Sequence, residues 1–411
     1  MNVDRWERLL LSRAANVYFA AIMLTMGGWA SWRLCLLFPE KIKSLLFFLL
    51  FLLFALSSMS VLSWQKKRDE KGSMIHALAA WIIGLTLSFA VYFYLGLLAA
   101  DLFCFLALRM LAPFPSRIAG LSGFICGGFF TVYGALHAQK IVVRKMELSL
   151  RAGTLKEAFT PSFQGASGED QALPNPAPLR IVLLSDLHMG ALSGYRHIRE
   201  LIRRAEELNP DLLIIAGDLF NGQTCRECLR LEEIADLFAG MKAGTDLGTY
   251  AVLGNHDPER GDPDFQAFLE KAKICLLDNQ ALSLSHLTLV GRSRLVRDQD
   301  KRKDLEELLL SVPEKRPVIV IDHDPQGIRE AASLGVDLCL AGHTHQGQFF
   351  PFTWITELIT GRKYFYGTGR EGDTRYVISS GAGFFEIPVR VGTDSELVCI
   401  DLSLTSASVR S

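Results

Sequence analysis

Paired cysteines are what this 411-residue chain lacks. Cys225 and Cys228 form its one close pair, and no second pair completes a four-ligand structural zinc site. Eight cysteines at otherwise scattered spacings fit reduced thiols in a cytoplasmic protein instead. A basic surplus is missing as well. The chain holds 43 Lys and Arg against 44 Asp and Glu; residues 1–145 take 15 and 6 of these, leaving 28 and 38 for the rest. So acidic a C-terminal part argues against duplex nucleic acid as a partner, because affinity for the phosphate backbone needs clustered Lys and Arg. The first apolar stretch also lacks a clear small-residue cleavage site, so no removable signal peptide is expected.

What the chain does have is apolar length, with 49% hydrophobic residues concentrated near the N-terminus. Residues 15–32, 44–64, 76–98 and 118–138 are each nearly uncharged and about long enough, as helix, to cross a ~30 Å hydrocarbon core. An all-α region of four transmembrane helices is therefore expected over residues 1–139. Asp101, beyond the third stretch, reads as the point where an overlong helix leaves the lipid. Ten basic residues (Arg5, Arg8, Arg13, Lys66, Lys67, Arg68, Lys71, Lys140, Arg144, Lys145) fall on one side of these spans and five (Arg33, Lys41, Lys43, Arg109, Arg117) on the other. The positive-inside rule then places both termini in the cytoplasm. The expectation is a multi-pass protein of the inner (cytoplasmic) membrane whose C-terminal domain faces the cytoplasm, its oligomeric state left open.

Residues 140–178 read as a linker that opens with an extended segment and continues as a loop rich in Pro, Ser, Gly, Ala and Gln. From residue 179 to 411 the pattern changes. The short apolar runs "RIVLLS", "DLLIIAG" and "TYAVLG" alternate with the amphipathic stretches "GYRHIRELIRRAEEL", "RLEEIADLFAGMK" and "DPDFQAFLEKA". Further runs ("LTLVG", "PVIVI", "VDLCLAG", "RYVISS", "ELVCIDL") follow with fewer helices between them. Such alternation predicts an α/β domain, here with two sheets packed face to face and helices outside. The charge run "VRDQDKRKDLEELL" reads as a solvated helix face.

Five histidines sit in short polar segments directly after apolar runs: His188, His256, His323, His343 and His345. Asp186 stands in "SDLHMG", Asp218 in "AGDLFNG", Asn255 in "LGNHD", and "AGHTHQGQ" carries two of the histidines. In open α/β sheets ligands bind beyond the carboxyl ends of the strands, so five such ends would gather these side chains in one crevice. Carboxylate, imidazole and amide donors together suit manganese, iron or zinc better than calcium or magnesium. Asp186, His188, Asp218, Asn255, His323, His343 and His345 are too many for one ion. They suit two divalent ions sharing a carboxylate at ~3.5–4 Å, the arrangement that clamps the oxygens of a phosphate.

The ordered set D-x-H, G-D, G-N-H-D, H and G-H-x-H resembles the calcineurin-like metallophosphoesterases over about residues 179–402. The apolar front end joined to "GHTHQGQ" is similar to the membrane-associated bacterial branch of that family. The resemblance implies a four-layer αββα fold and a metal-dependent phosphoric ester hydrolase acting by direct attack of a metal-bound hydroxide. It implies that Asp186, His188, Asp218 and His345 hold one metal, and that Asp218, Asn255, His323 and His343 hold the other. His256 then faces the phosphate as the catalytic acid. Asn221 stands where many members carry an Asp that orients this histidine, and an amide compensates an imidazolium less well than a carboxylate does. "GNHD" also departs from the G-N-R-D of enzymes resembling UDP-2,3-diacylglucosamine pyrophosphatase. The expected substrate is a phosphate ester, with a lipid-linked or nucleotide-conjugate diester or pyrophosphate as the alternative. An inactive membrane sensor or scaffold is the reading from another class.

Two groups of residues stand outside this set. Arg292, Arg294 and Arg390 are further cations able to meet a phosphate. The aromatic segment "FFPFTWITELITGRKYFYG" (349–367) has two open readings, core packing beneath a loop or an apolar lip beside the metals.

Overall fold

The computed structural model describes scattered positions between 25 and 45, then residues 74–107, 116–151, 178–221, 229–241, 247–285, 287–292, 302–312 and 316–405. The chain divides into two compact units, residues 1–137 with 386–389 and residues 138–385 with 390–411.

Two long helices dominate the described part of the first unit, α1 (Met74–Ala107) and α2 (Ser116–Ala138). Each holds a stretch long and apolar enough to cross a membrane, Ala77–Phe103 and Ile118–Ala138. These match the third and fourth expected spans. The first two lie almost wholly outside the described residues. α1 continues past Asp101 to Ala107, as an overlong helix would, and the Asp101 carboxylate accepts a hydrogen bond from the buried Arg33 guanidinium at 3.1 Å. A cation taken out of water needs such a partner, which explains an acid inside an apolar helix.

The second unit is built on two six-stranded sheets. One runs β1 (Ile141–Arg151), β12 (Ser395–Thr405), β2 (Leu179–Leu184), β3 (Leu212–Ala216), β4 (Thr249–Val252) and β5 (Ile274–Leu276). The other runs β10 (Gly367–Glu371), β11 (Thr374–Ile378), β9 (Leu338–Ala341), β8 (Val318–Ile321), β7 (Thr288–Gly291) and β6 (Gln280–Ser283). The two-residue period of a strand sets the layering. In β2, Ile181 and Leu183 face the second sheet, where Leu289, Ile319, Ile321, Leu338 and Leu340 meet them. Val182 and Leu184 face outward, onto α3 (Tyr195–Glu206), α4 (Leu231–Gly240) and α5 (Pro263–Lys271) through Ile198, Leu201, Ile234, Phe265 and Phe268. On the far side, Val318, Val320, Cys339 and Ala341 pack against α6 (Leu305–Leu309) and α7 (Ile328–Ser333). The order is helix, sheet, sheet, helix. Continuous apolar runs such as "LLIIA" are needed because both faces of a central strand are covered.

Two sequence expectations change. The extended segment placed in the linker is β1, an edge strand paired in parallel with β12 along its whole length. Among the described residues of the charge run, helix forms at α6 alone, and its Leu305, Leu308 and Leu309 are buried. Arg302, from the same run, binds the buried Asp322, so this face is not simply solvated.

Candidate active site

Parallel strands end on the same side, and here the ends of β2, β3, β4, β8 and β9 converge. Asp186 and His188 follow β2, Asp218 follows β3, Asn255 and His256 follow β4, His323 follows β8, and His343 and His345 follow β9. The backbone must turn sharply there to aim each side chain inward. Asp186, His188, Asp218, His343 and His345 all hold positive φ, from 44° to 73°. That region is sparsely occupied by non-glycine residues and is tolerated where the surrounding structure enforces it. The motif glycines leave room for these turns. A Cβ on Gly254 would strike the Asp218 carboxylate, and one on Gly342 the Asp186 carboxylate.

All seven expected ligands are brought together. His188 Nε2 lies 2.9 Å from His345 Nε2, and Asp186 Oδ1 lies 3.3 Å from His345 Nε2. Asp218 Oδ2 lies between two imidazoles, 3.6 Å from His188 Nε2 and 3.3 Å from His323 Nε2. His323 Nε2 is 3.1 Å from Asn255 Oδ1 and 3.2 Å from His343 Nδ1. Two groups could each hold an ion: Asp186, His188 and His345, and Asp186, Asp218 and His323. Asp186 is common to both, while Asp218, given the shared role by the resemblance, stands between His188 and His323. The Nδ1–H of His323 donates to the Ala216 carbonyl at 2.8 Å, which turns its Nε2 toward the site.

The electrostatics fit a cation. Burial raises the Asp186 carboxyl to about 6 and lowers the His188 imidazole to about 3, and it drives His345 far down. His188 and His345 are therefore neutral, with ring nitrogens turned to one another and to carboxylates. Burial also opposes charge on His323, but the neighbouring Asp218 and Asp186 outweigh it and raise this imidazole to about 10. A buried imidazolium there marks a place where positive charge is stabilised before any metal arrives.

His256 is half-buried beside this cluster. Its backbone N–H donates to Asp218 Oδ1 at 2.7 Å, and its ring centroid lies 5.0 Å from that of His188. Asn221 lies on the loop that carries Asp218, its N–H donating to the Met189 carbonyl.

Four residues outside the expected set shape the site. Asp257 accepts from the N–H groups of Phe220 and Gly254, both at 2.8 Å, and so ties the "GDLFNG" loop to the "GNHD" loop. Phe385 lies over His188, His256 and His345 with centroid separations of 5.6, 4.9 and 5.9 Å. The last residue of "AGHTHQGQ", Gln348, grips Phe385 through both its backbone N–H and its carbonyl. Arg390, fully buried, donates to the carbonyls of His345, Ser380, Gly381 and Gly383. Arg390 and Arg292, which binds Glu330, thus serve the scaffold rather than a phosphate. Arg294 lies outside the described residues. For Asp257 the signal was present in "GNHD"; Phe385 and Arg390 belong to no motif.

A model of the calcineurin-like phosphoesterases matches residues 179–347, from β2 through the second metal-site histidine turn. The chain carries a calcineurin-like phosphoesterase domain. An uncharacterized metallophosphoesterase of Helicobacter pylori is 28% identical over 297 residues, which cover 70% of this chain and 73% of that protein. A second one from the same species is 30% identical, covering 54% of this chain and 60% of its own. A zebrafish (Danio rerio) transmembrane protein with metallophosphoesterase domain is 31% identical over 54% of this chain and 53% of its own length. The chain thus spans between about half and three quarters of these relatives. The domain is that of a phosphoester hydrolase that uses divalent metals, and the convergent Asp and His donors suit that use.

Proposed function

We propose that this chain is a membrane-anchored phosphoric ester hydrolase with two divalent ions, manganese, iron or zinc, in the cluster at the strand ends. The observation that carries the reading is the shared placement of two carboxylates, Asp186 and Asp218, among four buried or mouth-lining imidazoles. When bound, the ions would polarise a phosphate and make water nucleophilic at neutral pH. Asp186, His188, Asp218 and His345 serve as donors on one side, and Asp218, Asn255, His323 and His343 on the other. His256 holds the proton that passes to the leaving oxygen, and Asn221 orients it. Phe385 walls the site with an apolar ring that limits water.

Anchoring is supported by α1 and α2, and by the exposed Leu121, Ile125, Phe129, Val132 and Leu136 along α2. The excess of Lys and Arg on one side of the apolar stretches supports a multi-pass protein of the inner membrane with its domain in the cytoplasm.

The test is hydrolysis of p-nitrophenyl phosphate by the purified full chain in detergent, with manganese added or chelated. Activity should depend on the metal, and Asp218→Asn should lose bound metal and turnover together. Turnover that survives complete chelation would sink the proposal.

A further inference from the structure

The helix α8 (Phe352–Thr360) is inside out for a protein surrounded by water. At 100° per residue, Trp354, Ile355, Leu358 and Ile359 share one face, and Thr353, Thr356, Glu357 and Thr360 share the other. The polar face is the half-buried one, while Trp354, Ile355, Leu358 and Ile359 are 67%, 47%, 85% and 78% exposed. No residue of the helix is buried. This decides between the two readings of the aromatic segment by dividing it. Phe349 and Tyr364 pack in the core, at 4% and 7% exposed, and the helix between them turns its apolar side outward. A contiguous apolar face of this kind marks contact with lipid or with another protein.

Two observations favour lipid. The cation that follows the helix, Arg362, is 93% exposed with a 3.7 Å approach to Glu357, and Trp354 sits at the margin of the face, the residue types of a membrane surface. The helix also hangs from the edge where the chain enters this unit. Phe349 bridges to Val391, four residues before Ser395, which pairs with Ile141 at the start of β1 and bonds the Ala138 carbonyl that closes the apolar α2. The same helix abuts the metal-site turn. A Cβ on Gly347 would lie 2.6 Å from both the Phe352 carbonyl oxygen and the Thr353 Cα, so the His345 turn is packed on its first residues.

We propose that α8 lies in the head-group region of an anionic bilayer and holds the mouth of the site against it, so that the substrate phosphate is carried by a membrane lipid. The substrate part rests on the hydrolase reading above; the placement of the helix does not.

A photoreactive benzophenone residue in place of Leu358, in the full chain reconstituted into nanodiscs of phosphatidylethanolamine and phosphatidylglycerol, tests the placement. Irradiation should give lipid adducts on the α8 peptide. Cross-links to a second copy of the chain, or no lipid adduct, would overturn it. Activity on phosphatidic acid and phosphatidylglycerol in the same discs tests the substrate class against p-nitrophenyl phosphate. Leu358→Glu with Ile359→Glu should cut lipid hydrolysis ~10-fold or more, as loss of surface co-localisation predicts, and leave the aryl phosphate rate within about twofold. Equal loss on both, or aryl phosphate hydrolysis by the unaltered chain with neither lipid cleaved, overturns the lipid assignment. Failure on every phosphate with manganese present would overturn the hydrolase reading, and the adducts would still decide where α8 lies.

Discussion

His323 carries a proton that a metal has to displace. With its imidazole raised to about 10, it is an imidazolium at neutral pH, whereas His188, lowered to about 3, has no proton to give up. Metal and proton then compete at His323, and apparent manganese affinity should rise roughly tenfold per pH unit between pH 7 and 9, with one proton released. Asp186, raised to about 6, is mostly ionised in that range and adds a second proton only below it, so the dependence steepens in acid. Calorimetric titration of the metal-free full chain in buffers of different ionisation enthalpy measures this; a flat profile from pH 7 to 9 would refute the imidazolium. His256 behaves differently under substitution. What it gives Asp218 is a backbone N–H, which alanine keeps. His256→Ala should therefore retain bound metal while turnover falls by about 10²-fold or more, the scale of general acid catalysis. Loss of metal from that variant would show that the ring belongs to the ligand set.

Strand ends present the site, and the loops that leave them are tied to each other. Asp257 is the knot between the loops after β3 and β4, and burial raises its carboxyl to about 7. Asn in its place would turn an NH2 group toward one of the two backbone N–H donors. Asp257→Asn should cost about 1–3 kcal/mol, the range for a buried group left unsatisfied, and should weaken manganese binding although Asp257 is no ligand. Thermal melting with and without manganese tests it; unchanged melting would mean that the two loops hold without the tie. Elements of this kind differ in how well the sequence reveals them. The strands that carry ligands were legible, because "LLIIA" and "VIVI" are buried on both faces and the polar motif begins where each apolar run stops. β5, β6 and β10 were not, since "ICL" is too short and "QALS" and "GTGRE" too polar to show a period. Arg302 looked like surface charge because no local pattern announces a partner twenty residues away at Asp322. The same limit hid Phe385, which reaches the histidines by tertiary packing alone.

At the scale of the whole molecule, β1 joins the apolar N-terminal region to the site. It adds an eleven-residue parallel ladder to β12 and buries Ile141 and Leu150. Its Arg144 bonds Glu396 at 2.6 Å and Asp394 at 2.8 Å, and Glu396, 1% exposed, accepts in turn from the Ser380 N–H at 2.8 Å. Ser380 opens the turn whose Gly381 lies against Asp186, where a Cβ on the glycine would come within 2.8 Å of the Asp186 Cβ. A domain cut at residue 178, the boundary that composition suggests, would leave β12 as a bare edge and Glu396 as a buried carboxylate without its cation. Both are costly, the first as a template for association and the second as an uncompensated charge. A fragment of residues 139–411 should therefore fold and hydrolyse p-nitrophenyl phosphate, whereas residues 178–411 should melt about 10 °C lower or more, at roughly 2–4 °C per kcal/mol for a domain this size, and should self-associate. Sedimentation and thermal melting of the two fragments decide it. Equal melting temperatures would mean that β1 is a passive tether, and that the route from Arg144 through Glu396 to the Asp186 turn carries no stability.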